Sequence, residues 1–415
     1  MEEIYLPDKD KKVLGELARK LEEMANRPQE TEKVKLWTEH NDLGQTRPVI
    51  FCDPENGWNE IITEDMYRCE SELGQTWESY LRKEIVWAEN MKDDKVIEAS
   101  FDVPHVAVES DWGMKERKIG GEHGGAYRWE APLKDYADLG KLRAPVIKVD
   151  YEATERIRQL AEEVFGQFLK VRVRSTKWWW TLGMTWTLVN LRGLEQVMYD
   201  FYDYPDELHK VMGILRDGHL AKLDFLERNE LLPLNTGNTY VGSGGFGFTK
   251  QLPAEGYDPS RVRLKDMWGF AESQETSSVS AEMFAELIMP YQIPVLAKFG
   301  LNCYGCCEPL NARWKYIKDI PNLRRVSVSP WADPMDMAEK LGNNYIFSYK
   351  PNPAYLAVPN IDEELIRKSI RDIIRTAKGC VLEIIMKDNN TLGGNPNNAF
   401  DWVRIAREEA ESASL

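Results

Sequence analysis

The chain has 415 residues, of which 43% are hydrophobic and 29% charged, and its formal net charge is −15. That length buries a full core, either as one large α/β domain with insertions or as two ordinary domains. The acidic balance, without any run of basic residues, argues against a nucleic-acid partner, since clustered Lys and Arg hold its backbone; no stretch approaches the ~18 continuous apolar residues of a membrane span.

The N-terminus, "MEEIYLPDKDKK", has charge where a secretory signal needs an apolar core, so a soluble, cytoplasmic protein is expected. Residues 8–26 read as an amphipathic helix with Leu14, Leu17, Leu21 and Met24 on one face, part of a helical extension over residues 1–45. "RPVIFCD" and "DVPHVAVES" read as strands, and residues 112–142, rich in Gly and charge, as an insertion. "VRVRS" is a further strand. Pro205 opens a helix with Leu208, Val211, Met212 and Leu215 at helical spacing, and "TGNTYVGSGG" follows as strand and Gly-rich loop. Ser280 caps a helix ending near Gly300, and "LNCYGCC" is the next strand. "NLRRVSVSP" is a strand; Asp333-Pro334 starts a helix that Gly342 ends; "NYIFSYKPNPA" is a strand. Asp362 opens a helix with Leu365, Ile366, Ile370, Ile373 and Ile374, Gly379 ends it, "CVLEIIMKDNN" is a strand, and a last helix starts near Asn398. This alternation implies a parallel sheet covered by helices. A single (β/α)8 TIM barrel over residues 46–415 fits best, with a doubly wound sheet second.

In such a barrel the chemistry lies at the C-terminal ends of the strands. That criterion selects His105, Asn238, Tyr240, Glu272, Gln274, the run from Cys306 to Glu308, Ser329, Lys350 and the group from Lys387 to Asn390. Cys306, Cys307 and Glu308 offer sulfur and oxygen donors of the kind zinc takes. Neighbours on a regular strand point to opposite faces, so both cysteines serve one ion only if the chain has left the strand, which Gly305 allows. Two other readings stay open: the cysteines pack as small hydrophobes, or Cys303 and Cys306 form a redox pair, whose usual place at a helix N-terminus this segment lacks. Cys380 begins its strand and belongs to the bottom of the barrel. "STKWWWTLGMTW" clusters Trp178, Trp179, Trp180 and Trp186, either an aromatic pocket wall with Trp179 in it or core. Lys350 is a candidate anion holder or a solvated rim lysine, His105 a site group or a hydrogen-bonded core histidine. Glu272, Gln274 and Glu275 are site groups or caps of the next helix.

The run "CYGCCEPLNARWKYIKDIPNLRRVSVSPWADPMDMAEKLGNNYIFSYKPNPA", with the helices "SSVSAEMFAELIMPY" and "NLRGLEQVMYDFYDYPDELHKVM" before it, resembles the uroporphyrinogen decarboxylase superfamily, especially its corrinoid-dependent methyltransferase branch. The resemblance spans residues 102–415 and is strongest after Trp268. It implies a (β/α)8 barrel of the uroporphyrinogen decarboxylase type, and zinc as cofactor. Where that branch carries His-x-Cys this chain has Tyr304-Gly305-Cys306, and near the branch's last cysteine it has Lys387-Asp388-Asn389. The metal set implied here is therefore Cys306, Cys307 and Glu308, with help from elsewhere in the chain. The Arg-rich N-terminal motif that holds a porphyrin's carboxylates is reduced to Arg47.

The expected function is zinc-dependent transfer of a methyl group between a corrinoid, carried by a partner protein, and a small thiol or other acceptor. Glu308 and Lys350 are the candidate catalytic groups; His105, Trp179, Asn238, Tyr240, Glu272 and Gln274 are the candidate substrate contacts. The rival expectations are a decarboxylase-like lyase, with Lys350 and arginines holding a carboxylated substrate, and a non-catalytic binding barrel.

Overall fold

The computed structural model describes residues 5–115, 117–120, 127–176 and 183–413. Two helices lead, Asp8–Ala25 and Pro28–Asn41. The first buries Leu14, Leu21 and Met24, as its spacing requires. The second has no apolar stripe to betray it, because it buries Glu30, Trp37, His40 and Asn41.

Six strands form one parallel sheet. In chain order they are β1 (Val49–Cys52), β4 (Trp268–Ala271), β5 (Leu301–Tyr304), β6 (Leu323–Val328), β7 (Ile346–Tyr349) and β8 (Val381–Met386). Their spatial order is β1-β8-β7-β6-β5-β4. A separate parallel ladder joins β2 (Ser100–Val103) to β3 (Lys170–Val173). The eight strands of the two ladders are consistent with a barrel-like α/β fold. Among the described residues no strand pairing joins the two ladders. After the helix Pro205–Arg228, an irregular stretch bridges the ends of β3 and β4: Arg174 donates to the Leu234 carbonyl at 2.9 Å, and the Asn235 side chain bonds the Trp268 amide at 2.9 Å and its carbonyl at 3.0 Å. Strands buried on both faces read as continuous apolar runs; all of β1 and β8 is buried.

Several local expectations change in the structure. "DVPHVAVES" is two strands: Pro104 offers no N–H, the chain turns there, and Val106–Glu109 pairs antiparallel with Ile147–Asp150 instead of continuing β2. Residues 112–142 hold an antiparallel hairpin, Arg117–Gly120 with Tyr127–Glu130. "TYVGSGG" is a tight antiparallel hairpin, Tyr240–Val241 with Gly245–Phe246, turned by Gly242 and Gly244 at φ of 64° and 125°. The helix after Ser280 breaks at Ile288 into Ala281–Leu287 and Met289–Leu296, since Pro290 and Pro294 withdraw two donors. The caps at Ser280, Asp333 and Asp362 each accept from backbone N–H groups of the first turn.

The interior facing β6, β7 and β8 is polar at one level. Glu383 lies 2.9 Å from Arg325 Nε and 3.1 Å from His40 Nε2, and it accepts from Ser348 Oγ. Arg325 also donates to Asn41 Oδ1 at 2.6 Å and lies over the Trp268 ring at 5.2 Å. Arg325 beside it, followed by the His40 hydrogen bond, overrides burial and holds the Glu383 carboxyl far below the ordinary range, while burial holds His40 neutral. The helix Pro28–Asn41, through His40 and Asn41, thus joins this polar layer.

Candidate functional site

β5 ends at Tyr304, and Gly305, at φ 91°, takes the chain out of the strand. A Cβ there meets Leu310 Cδ1 at 2.6 Å, so the turn needs glycine for its space as well as its angle. Beyond it Cys306 and Cys307 share one side, with their sulfurs 3.6 Å apart. Glu308 is buried beneath the turn: its Oε2 accepts from the Cys306 N–H at 2.9 Å and its Oε1 from the Ser273 N–H at 2.9 Å. It is a carboxyl that ties two strand ends together.

The Cys306 sulfur also receives a hydrogen bond from Ser243 Oγ at 3.3 Å and one from Lys387 Nζ at 3.6 Å. Hydrogen bonding from Cys307, opposed by burial and joined by Lys387 and Ser243, brings the Cys306 thiol down to about 7. Thiolate is therefore a main species at neutral pH. Cys307 is pushed the other way, chiefly by the sulfur of Cys306 and by burial. Its single proton faces both Cys306 and Asp388 Oδ2, the latter at 3.3 Å. Lys387 comes from the end of β8 and lies 2.6 Å from Asp388 Oδ1. Burial works against its charge, and Cys306, Tyr240 and Asp388 more than offset it, so Lys387 stays an ammonium.

This sulfur opens onto a cavity of ≈ 310 Å³ lined by Met184, Trp186, Tyr240, Phe270, Glu272, Gln274, Glu275, Glu55, Ser243 and Lys387 among others. Glu272 is 9% exposed and accepts from the Gln274 N–H at 2.8 Å. Burial, with Glu275 and Glu308 close by, holds its carboxyl well above the ordinary value. Gln292 fixes this wall by donating to the Gly183 carbonyl at 2.6 Å and the Glu272 carbonyl at 2.8 Å. Met184 carries φ 62°, a left-handed conformation uncommon for a side chain of its kind, on the cavity wall. A wider cleft of ≈ 470 Å³ lies by Arg47, Asp94 and Arg407, and its lining holds no cysteine or aromatic side chain.

Of the candidates read from the sequence, Tyr240, Glu272, Gln274 and Cys306 line one cavity, and Cys307 adjoins it. Lys387 and Glu275, also read from the sequence, line it too, while the following residues stand apart. Lys350 is no rim residue: it is 2% exposed, donates to Ser348, and burial lowers it to about 8 within the interior network. His105 packs beside Ser175, whose hydroxyl lies 2.9 Å from its Nδ1, and is not in the cavity lining. Asn238 spends its amide on the Val96 carbonyl at 2.8 Å. Trp179 lies outside the described residues. Cys380 sits at the base of β8 with its thiol toward the Ala338 carbonyl at 3.6 Å. The sequence reading passed over Ser243, Glu55 and Met184. The Gly-rich "VGSGG" and the "CDPE" directly after β1 were the available signals, both at strand ends.

The expected zinc set fits only in part. Two thiolates on one tetrahedral zinc, at ~2.3 Å each, stand about 3.8 Å apart, near the 3.6 Å found here. Glu308 turns both its oxygens to backbone N–H groups, of Cys306 and Ser273. Among the described residues no three His, Cys, Asp or Glu side chains form a group able to hold a metal ion.

Comparison with solved structures finds a methyltransferase from Methanosarcina mazei, with a TM-score of 0.51 and 10% sequence identity over 91% of this chain and 97% of that one. At that identity the likeness is one of fold alone. No family model and no curated protein matches the sequence. Among the described residues no helix is long and apolar enough to cross a membrane.

Proposed function

We propose that the chain is a methyltransferase whose acting group is the Cys306 thiolate. The observation that carries this reading is a sulfur lowered to about 7 on the wall of a half-enclosed, largely apolar cavity at the end of a barrel-like sheet. A thiolate is a soft nucleophile suited to a methyl carbon, and the cavity holds a small donor in line with it while limiting competing water. Lys387 and Ser243 stabilise the anion before reaction, and the Cys307 thiol is the third donor toward it. Sulfur–carbon bond formation accompanies rupture of the bond from the methyl group to its leaving group. In turnover a second nucleophile at the mouth bonds to that methyl carbon, the sulfur–carbon bond breaks, and its electron pair returns to Cys306 as thiolate. A corrinoid on a partner protein is the proposed second participant, on the strength of the sequence resemblance and the shared fold.

The lyase alternative asks for cations that hold substrate carboxylates. The cavity wall offers Lys387, already paired with Asp388, against Glu55, Glu272 and Glu275, which favours methyl transfer. The test is incubation with methylcobalamin, free and on a corrinoid protein, with a panel of thiols. Demethylation is followed by the visible spectrum and the mass of the Cys306 peptide. Demethylation that Cys306→Ser abolishes supports the reading; equal rates in parent and variant overturn it.

A further inference from the structure

The lining that disfavours an anionic substrate has a positive implication. Trp186, Tyr240 and Phe270 share the cavity wall with Met184, and so do the carboxyl side chains of Glu55, Glu272 and Glu275. Glu275 is partnered, accepting from Thr185 Oγ1 at 2.7 Å and from Gln274 Nε2 at 3.3 Å. Glu272 is not fully so: the Gln274 N–H meets its Oε2, and its Oε1 receives no hydrogen bond among the described residues. Burial keeps this carboxyl protonated, and a cation seated against its open oxygen favours the ionised form. Lys387 does not answer it, being committed to Asp388 and Cys306.

Aromatic faces and carboxyl groups around a small apolar volume attract one kind of guest above others. A quaternary ammonium spreads its charge over methyl groups, has no hydrogen to donate, and is drawn to ring quadrupoles and to nearby negative charge. Its methyl carbon is also the electrophile a thiolate attacks.

We propose that the cavity binds a small methylated quaternary ammonium and that one of its N-methyl groups is the group transferred to Cys306. The second half rests on the methyltransferase reading; the first stands without it. The step balances by itself: the Cys306 sulfur anion forms a bond to the methyl carbon, the carbon–nitrogen bond breaks, and its electron pair leaves on a neutral tertiary amine. No proton, oxidant or reductant enters.

The test compares choline with its uncharged carbon isostere, 3,3-dimethylbutan-1-ol, by calorimetry on the full chain. Choline is expected to saturate and the isostere to bind about tenfold more weakly or worse. Glu272→Gln and, separately, Trp186→Ala should each weaken choline about tenfold while leaving the isostere unchanged. Thermal melts establish that each variant is folded, and the two variants stand on different elements, so misfolding of one leaves the other decisive. Equal affinity for choline and the isostere, or no saturable choline binding in the low-millimolar range, overturns the proposal. Incubation with bound choline should add the mass of one methylene (H replaced by CH3) to the Cys306 peptide. Choline binding with an unmodified Cys306 sinks the transfer half alone. Methylation of Cys306 by an uncharged donor without choline binding sinks the ammonium inference and leaves the methyltransferase reading standing.

Discussion

The sharpest quantitative claim concerns Lys387 and the thiol it faces. Its Nζ lies 3.6 Å from the Cys306 sulfur, a separation that gives about 4–5 kcal/mol for unit charges at an effective dielectric of ~20. Asp388, 2.6 Å from the same ammonium, cancels a large part of that. If roughly 2 kcal/mol survives, the thiol loses about 1.5 pKa units of support when the ammonium is removed. Lys387→Met should therefore move the midpoint for Cys306 alkylation from about 7 to the ordinary thiol value of about 8.5 or above. The midpoint, read from iodoacetamide rates against pH with fragment-level mass spectrometry to separate Cys306 from Cys307, is the right observable. At pH 7 the thiolate fraction falls from one half to about 3%, but a more basic thiolate is intrinsically more nucleophilic, so the rate itself drops only about threefold. A midpoint within a few tenths of the parent's would refute the assignment of Lys387 as the stabilising charge. A parent midpoint at the ordinary value would refute the activated thiol.

Cys307→Ala should also raise the Cys306 midpoint, since it removes the donor that contributes most to the anion, while Cys307→Ser, which keeps an O–H, should raise it less; the same alkylation profile checks both, and the reverse order contradicts the hydrogen-bond account. Zinc introduced to the purified chain should be held by no more than the two thiols and be removed by a mild chelator at neutral pH, because Glu308 is already bound to backbone; one equivalent surviving dialysis against strong chelator would contradict this ligand geometry. Glu383→Gln should cost about 3–5 kcal/mol in denaturant unfolding by leaving Arg325 buried without its carboxylate. The carboxyl of Glu383 is depressed in the folded state, so its stabilisation is fully present above the ordinary Glu value of ~4.3 and fades as pH falls below it; His40, held neutral by burial, loses stability in the same direction below ~6.5. The parent should thus show a steeper acid limb than the Gln variant, and parallel limbs would count against that network.

Where apolar periodicity and caps cooperate, the elements were legible. The helices opened by Asp333 and Asp362 start at those residues, and the parallel strands of the second half are where continuous apolar runs placed them. What escaped was driven by polar burial or by single prolines. The helix Pro28–Asn41 buries Glu30, His40 and Asn41 for the sake of partners far away in sequence, which no local pattern reports. Pro104 and Pro290 each ended an element whose hydrophobic pattern ran on past them.

The site was legible in its sulfur and illegible in its charge. A strand end after glycine is enough to place Cys306 at the mouth, and the same logic pointed to Tyr240, Glu272 and Gln274. It could not separate Lys350 from Lys387, since both follow apolar strands by one residue. The difference lies in register and neighbours. Lys350 follows the Ser348–Tyr349 end of β7 and turns inward, where Ser348 and the charge of Glu383 receive it. Lys387, one position past the longer β8, meets Cys306 and Asp388 at the rim. Glu308 follows the same rule in reverse: next to two cysteines it reads as a ligand, but the turn at Gly305 leaves the Cys306 and Ser273 amides unpaired unless a carboxyl reaches them, and an unpaired buried amide costs about 1–3 kcal/mol. Glu308→Ala should therefore loosen the turn rather than strip a metal, lowering the melting temperature. A variant that melts like the parent and differs only in metal content would return Glu308 to the ligand set.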